Sequence, residues 1–167
     1  LVAALNARFG GAAVSYLDPG AETVQPMGPQ LQALVAAMNG GGVGALLCLG
    51  TNPVYALPAS LGFEAALARV PVTIHAGLYR DETGQRATWH LPLAHFLEAW
   101  GDTRAYDGTR SVVQPLIAPL YADAHSEVEI LAALATGRNA SGADLVREAL
   151  GAPDETAWRT LLHDGFQ

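Results

Sequence analysis

Apolar positions along the first half of the chain switch between two periods. Leu31, Leu34, Val35 and Met38 recur three and four residues apart, the spacing of one helix face, and the stretch ends at Asn39-Gly40-Gly41-Gly42. Val43 to Leu49 (VGALLCL) is an unbroken apolar run of strand length, and Val70-Pro71-Val72-Thr73-Ile74 is another. Runs without polar alternation suit parallel strands covered on both faces. A helix from about Ser60 to Ala68 stands between them. Upstream, Leu1 to Phe9 is helical in pattern, with Gly10-Gly11 as its stop. Ala12 to Leu17 then reads as a short buried strand that empties into a Pro/Gly loop, Asp18 to Pro29. Strand, helix, strand, helix, strand predicts an α/β fold, a doubly wound parallel sheet of Rossmann-like type. The first helix has no N-cap residue and the chain no initiator Met, which predicts a piece of a longer protein.

The second half is less regular. Glu82 to Ala87 predicts a short helix, and Thr88 to Leu91 a short strand stopped by Pro92. Leu93 to Tyr121 carries three turn signals, at Gly101-Asp102, Asp107-Gly108 and Ala118-Pro119, and predicts mostly ordered loop. From Ser126 the pattern is helical: Ser126 and Glu129 form a capping box ahead of Ile130, Leu131 and Leu134. Ser141 and Asp154 each start a further helix. No repeat or internal boundary divides the chain, so residues 1–167 are expected to form a single α/β domain with a helical C-terminal part.

Composition narrows the chemistry. Half of the 167 residues are hydrophobic and 15% are charged, as in a globular domain with a real core. Nine basic against sixteen acidic residues give a net charge of −7, which speaks against a nucleic-acid-binding face. All nine basic residues are arginine, so lysine chemistry is excluded. Cys48 is the single cysteine, so the chain alone builds neither a disulfide nor a Cys-ligated iron–sulfur cluster. No apolar run reaches the roughly 20 residues that span a bilayer, so no direct membrane span is expected.

Position in the chain singles out the candidate sites. Gly40-Gly41-Gly42-Val43-Gly44-Ala45 nearly matches a dinucleotide fingerprint, but its order is helix, glycines, strand. The phosphate-binding arrangement needs the reverse, so a helix C-cap is expected. Gly50-Thr51-Asn52-Pro53 directly follows a buried strand, where a doubly wound sheet presents its ligand crevice. It reads either as a ligand loop or as a strand-to-helix turn with an Asx bond from Asn52. His75 ends the next strand, either as a donor into the same crevice or as a satisfied core histidine. His90, His95 and Glu98 are the residues from which an open two-His, one-carboxylate metal site could be drawn. A strand histidine followed by a loop histidine explains them equally, and no metal site is expected. Cys48, inside its strand, is expected to be buried and inert. No G-x-S-x-G elbow is present.

Over Gly50 to Leu120 the sequence resembles the molybdopterin oxidoreductase family. The shared pattern is the Gly50-Thr51-Asn52-Pro53 loop, then Glu82-Thr83 leading to Thr88-Trp89-His90-Leu91-Pro92, then Glu98 and Gly101. The wording from Trp89 to Asp102, with Gln114 to Tyr121, is most similar to one branch, the large iron–sulfur subunit of bacterial alternative complex III. The resemblance implies a doubly wound unit that, in the family, holds one guanosine arm of the bis-molybdopterin cofactor. Gly50, Thr51, Asn52, Pro53 and His75 would face that arm if it is retained. Thr88 stands where the family usually has Asp, Gly77 stands near where an Asp often ends the preceding strand, and the resembling branch implies no bound molybdenum. The resemblance thus implies a structural domain without its own redox centre, hence without catalysis of its own. The parent subunit would carry iron–sulfur clusters, with or without molybdopterin guanine dinucleotide. Its implied partners are the rest of that subunit and other subunits of a membrane-associated, quinol-oxidising respiratory complex on the periplasmic face. The alternative is a working guanine-dinucleotide-binding domain of a molybdenum oxidoreductase of the formate dehydrogenase or polysulfide reductase type.

Overall fold

A computed structural model describes residues 2–10 and 26–167. Helix α1 (Val2–Phe9) ends at Gly10, which takes φ 61°. The strand expected at Ala12–Leu17 lies outside the described residues. Helix α2 (Met27–Asn39) begins inside the expected loop, with Pro29 in its first turn. Proline is tolerated there because the first-turn N–H groups have no helical acceptor.

Strands β1 (Ala45–Leu49), β2 (Val72–Gly77) and β3 (Trp89–Pro92) form a parallel sheet in the order β1-β2-β3. Three short helices fill the crossovers: α3 (Pro53–Ala56), α4 (Phe63–Leu67) and α5 (Glu82–Arg86). The helix expected over Ser60–Ala68 is therefore shorter. A 3-10 turn at Ala59–Leu61 precedes it, and Gly62, at φ 69°, separates the two. The fold is the expected parallel α/β, Rossmann-like arrangement.

Between β3 and the C-terminal helices lies a hairpin that the sequence pattern does not predict. Strands β4 (Gly101–Arg104) and β5 (Arg110–Val113) pair antiparallel where mostly loop was expected. Each is only four residues long, too short for alternation to register. The Asp107-Gly108 turn between them was the available signal: Gly108 sits at φ 95°, and Asp107 accepts a bond from the Thr109 N–H at 3.0 Å. Helices α6 (Glu127–Thr136), α7 (Gly142–Leu150) and α8 (Glu155–Asp164) start at the expected caps Ser126, Ser141 and Asp154. The α6 capping box is complete, and Glu129 also accepts from the Gly142 N–H at 2.9 Å, tying α6 to α7. Burial pushes the Glu129 carboxyl up, but the N–H groups of Ser126 and Gly142 outweigh it and hold the group below its ordinary value.

Two apolar clusters hold the chain. In the first, Val35 and Met38 of α2 meet Phe63, Ala66 and Leu67 of α4 over Cys48 of β1. In the second, Val146 and Leu150 of α7 pack with Trp158 and Leu161 of α8. Trp100 joins that cluster with its ring centroid 5.8 Å from that of Trp158. Its indole thus connects the β3–β4 loop to the helical part. Because Met38 is 1% exposed, Met38→Ala should cost about 2–5 kcal/mol in urea denaturation. The half-exposed Leu131, changed to Ala, should cost well under half as much.

Candidate functional site

Each parallel strand ends on the same side of the sheet, and a crevice of about 580 Å³ opens there. It runs from Gly50-Thr51-Asn52 after β1, past Gly77 to Asp81 after β2, to Leu93-Phe96 after β3. The α6 N-terminus closes the far side through Ser126, Glu127 and Val128. Of the residues singled out from sequence, Gly50, Thr51, Asn52, His75 and His95 come together on its lining, while Pro53 starts α3 behind it.

The Asn52 side chain works inside the fold. Its Oδ1 accepts from the Thr83 hydroxyl at 2.7 Å and the Thr83 N–H at 3.3 Å, and caps α3 through the Tyr55 N–H. Its Nδ2 donates to Glu82 at 2.6 Å. Thr83 in turn accepts from the Val54 N–H at 3.0 Å. The carboxamide thus joins the β1–α3 turn to α5 through both of its ends. Its N–H group is the main reason the exposed Glu82 carboxyl lies below its ordinary value. Gly50 needs its glycine: φ is 63°, and a Cβ there would run into the Glu127 carboxylate.

Parallel register sets His75 opposite His90, and their Nδ1 atoms lie 2.9 Å apart. One ring must donate and the other accept, so the pair is not doubly protonated. Burial, and then the neighbouring His75, hold His90 below the ordinary histidine range. His75 is 1% exposed, and its second nitrogen, Nε2, is buried without a hydrogen-bond partner. An Asp81 carboxylate oxygen lies 3.4 Å from it, but no aligned bond joins the two. Two glycines make room for this imidazole. A Cβ at Gly77 would sit 2.5 Å from His75 Cε1, and one at Gly84 would sit 2.8 Å from His75 Nδ1. Gly77 is thereby explained by packing, at a position where the family pattern only registered a missing Asp.

The metal candidates do not assemble. His90 turns to His75, whereas Glu98 is a buried carboxylate that holds a loop, accepting from the N–H groups of His95 (3.0 Å) and Leu120 (3.3 Å). No group of three His, Cys, Asp or Glu residues suited to a metal occurs among the described residues. The segment carrying His95 and Glu98 is a turn and not a helix, in line with the loop expected there. Cys48 is buried, and desolvation raises its thiol pKa, which makes it a poor nucleophile. The Gly40–Gly44 stretch caps α2 and turns into β1, as its order implied.

Charge decides what the crevice suits. Asp81 and Glu127 line it, and no arginine among the described residues does. A diphosphate placed there would meet two carboxylates and no arginine on the lining, although the Arg80 charge is felt at His90 nearby, so the lining residues fit such a group poorly.

No known family profile matches the chain. A curated relative, the molybdopterin-binding-like subunit of menaquinone reductase from Nitratidesulfovibrio vulgaris, is 35% identical over 78 residues. Those residues are 47% of this chain but 11% of the relative, so the chain spans a small part of that protein's length. Among solved structures, acetylene hydratase from Pelobacter acetylenicus superposes with a TM-score of 0.55 at 21% identity. That match covers 64% of this chain and 16% of the hydratase, and it shows a shared fold. The curated match supports the resemblance at the level of a molybdopterin-oxidoreductase-like domain.

The site predicts two measurable behaviours. Asn52→Ala should lower stability by about 1–3 kcal/mol, because Thr83 loses its acceptor and Glu82 its donor. In the same variant, the Glu82 carboxyl should titrate higher when followed by NMR. For His90 the folded pKa lies below the unfolded value of about 6.5, so the unfolded chain takes up the proton first. Stability should therefore fall as pH drops below about 6.5, and the fall should level off once folded His90 is itself protonated. His90→Gln should flatten this part of the profile in denaturation curves taken between about pH 7.5 and 5.

Proposed function

We propose that this chain is a structural α/β domain within a longer molybdopterin-oxidoreductase-like, iron–sulfur subunit of a respiratory complex, and that it carries no redox centre of its own. The observation that carries this reading is the crevice itself. Its Asn52 carboxamide is held by α5, and its charged lining is Asp81 and Glu127. A glycine loop after β1 remains, but without an arginine on the lining to meet a diphosphate. The lone cysteine, Cys48, cannot supply the set of thiolates that a cluster needs, so electron transfer is assigned to other parts of the parent.

The curated relative's name ties it to menaquinone reduction, which supports a membrane-associated, quinone-linked complex, while the quinol-oxidising direction rests on the sequence resemblance alone. No helix of the described residues is long and apolar enough to cross a membrane. The partners are the rest of the parent subunit and its neighbours in the complex, on the periplasmic face. One observation favours the second reading, a working guanine-dinucleotide-binding domain. The crevice lies at the C-terminal ends of the strands, beside a glycine at positive φ, where an α/β sheet takes its nucleotides.

Two measurements separate the readings. GDP titrated into the chain by calorimetry should give no saturable heat. Metal analysis of the intact parent subunit should find iron without molybdenum. Stoichiometric molybdenum, or saturable GDP binding that disappears in Asn52→Ala, would overturn the structural-domain reading in favour of the second.

A further inference from the structure

The crevice that fails to suit a diphosphate has the features of a receptor for the opposite charge. Asp81 is partly buried in the loop after β2, at the N-cap of α5. Its Oδ1 caps α5 through the Gly84 N–H at 2.9 Å, while Oδ2 has no protein donor among the described residues. Glu127, on the opposite wall, forms no hydrogen bond or ion pair among the described residues, although it lies against Gly50. Between the strand ends sits the orphaned Nε2 of His75, fully buried and 3.4 Å from an Asp81 oxygen. When His75 donates to His90 through Nδ1, Nε2 is a bare lone pair beside a carboxylate. In that tautomer two adjacent acceptors face each other with no proton between them, and a donor that carries several N–H groups would satisfy both. The walls leading inward are apolar, through Leu78, Phe96 and Trp100. A long side chain with a cationic head and a hydrocarbon stem matches this combination.

We propose that the crevice is a docking site for an arginine side chain presented by a partner polypeptide, its guanidinium held by Asp81, Glu127 and His75 Nε2. The proposal rests on the structural-domain reading and names the chemistry of the contact by which the domain would be gripped. Charge complementarity selects the occupant: this chain carries −7, and its crevice has two carboxylates without an arginine partner among the described residues. A planar guanidinium can bond a carboxylate in bidentate fashion and still offer an N–H to an imidazole, which a compact ammonium does less well.

The test uses N-acetyl-arginine amide, with N-acetyl-citrulline amide as an uncharged probe of the same size, and follows backbone amide shifts of the chain by NMR. The arginine amide should shift Gly50, Asp81 and Glu127 saturably, and its affinity should fall as salt is added. The citrulline amide should not saturate over the same concentrations. Asp81→Asn keeps the α5 cap and removes only the charge. Combined with Glu127→Gln, it should weaken the arginine amide about tenfold or more while leaving the remaining spectrum folded. Equal binding of the two amides, shifts that map outside the crevice, or no saturable shift would each overturn the proposal. GDP added in parallel keeps the two readings apart. Saturable GDP binding overturns the structural-domain reading, whereas silence from both GDP and the arginine amide overturns the arginine site alone.

Discussion

The Asn52 carboxamide is the interaction on which the geometry of the strand ends depends. Parallel strands have no hairpin to fix the relative position of their ends, so something must join the loops that leave them. Here one side chain, with Thr83 as its partner, clasps the β1–α3 turn to α5, the helix that crosses from β2 to β3. With α5 held, Gly84 is pressed close to His75, and the ring can only sit against His90 and the crevice. The position of the orphaned Nε2 is therefore a consequence of a clasp made one strand away.

Burial and charge act in opposite directions around that clasp. The sheet buries His75 and sets it against His90, and burial, then that neighbour, hold His90 below the ordinary histidine range. At the mouth, Asp81 is partly buried and Glu127 exposed, and neither has an arginine partner among the described residues. A floor without an arginine, under a rim of two carboxylates, disfavours phosphates and favours cations. The same loop position that serves nucleotides on many α/β sheets thus carries different chemistry here, because ligand preference is set by the side chains at the strand ends and not by the fold.

The helical part is fastened by similar means. Glu129 completes the α6 capping box and reaches the first residue of α7, and Glu98 staples two loop N–H groups from a buried position. These carboxylates serve as hydrogen-bond acceptors within the fold. Their partners lie near in sequence for the capping box, three residues away, and far for Glu98, which reaches Leu120. The near partner was legible from the S-x-x-E spacing. The far one was not, and Glu98 was read as a metal candidate, because a residue type does not reveal which backbone groups will come within reach.

The amino-acid sequence by itself determined the parallel α/β class, the two long apolar strands, the C-terminal caps and the glycine turn before β1. Each comes from local periodicity or from a cap whose partner lies within one turn. It also marked the Gly50 loop as a place of interest, since a glycine after a buried strand needs a reason. The β4–β5 hairpin escaped because four-residue strands carry too little alternation to be seen. Only the tertiary structure decided that Asn52 faces α5, that His90 pairs with His75 and not with Glu98, and that the charged residues lining the crevice are carboxylates. Those outcomes depend on register between strands and on crossovers long enough to separate His75 from His90 and Asn52 from Glu82. Side chains so far apart in the chain meet only because the sheet aligns them.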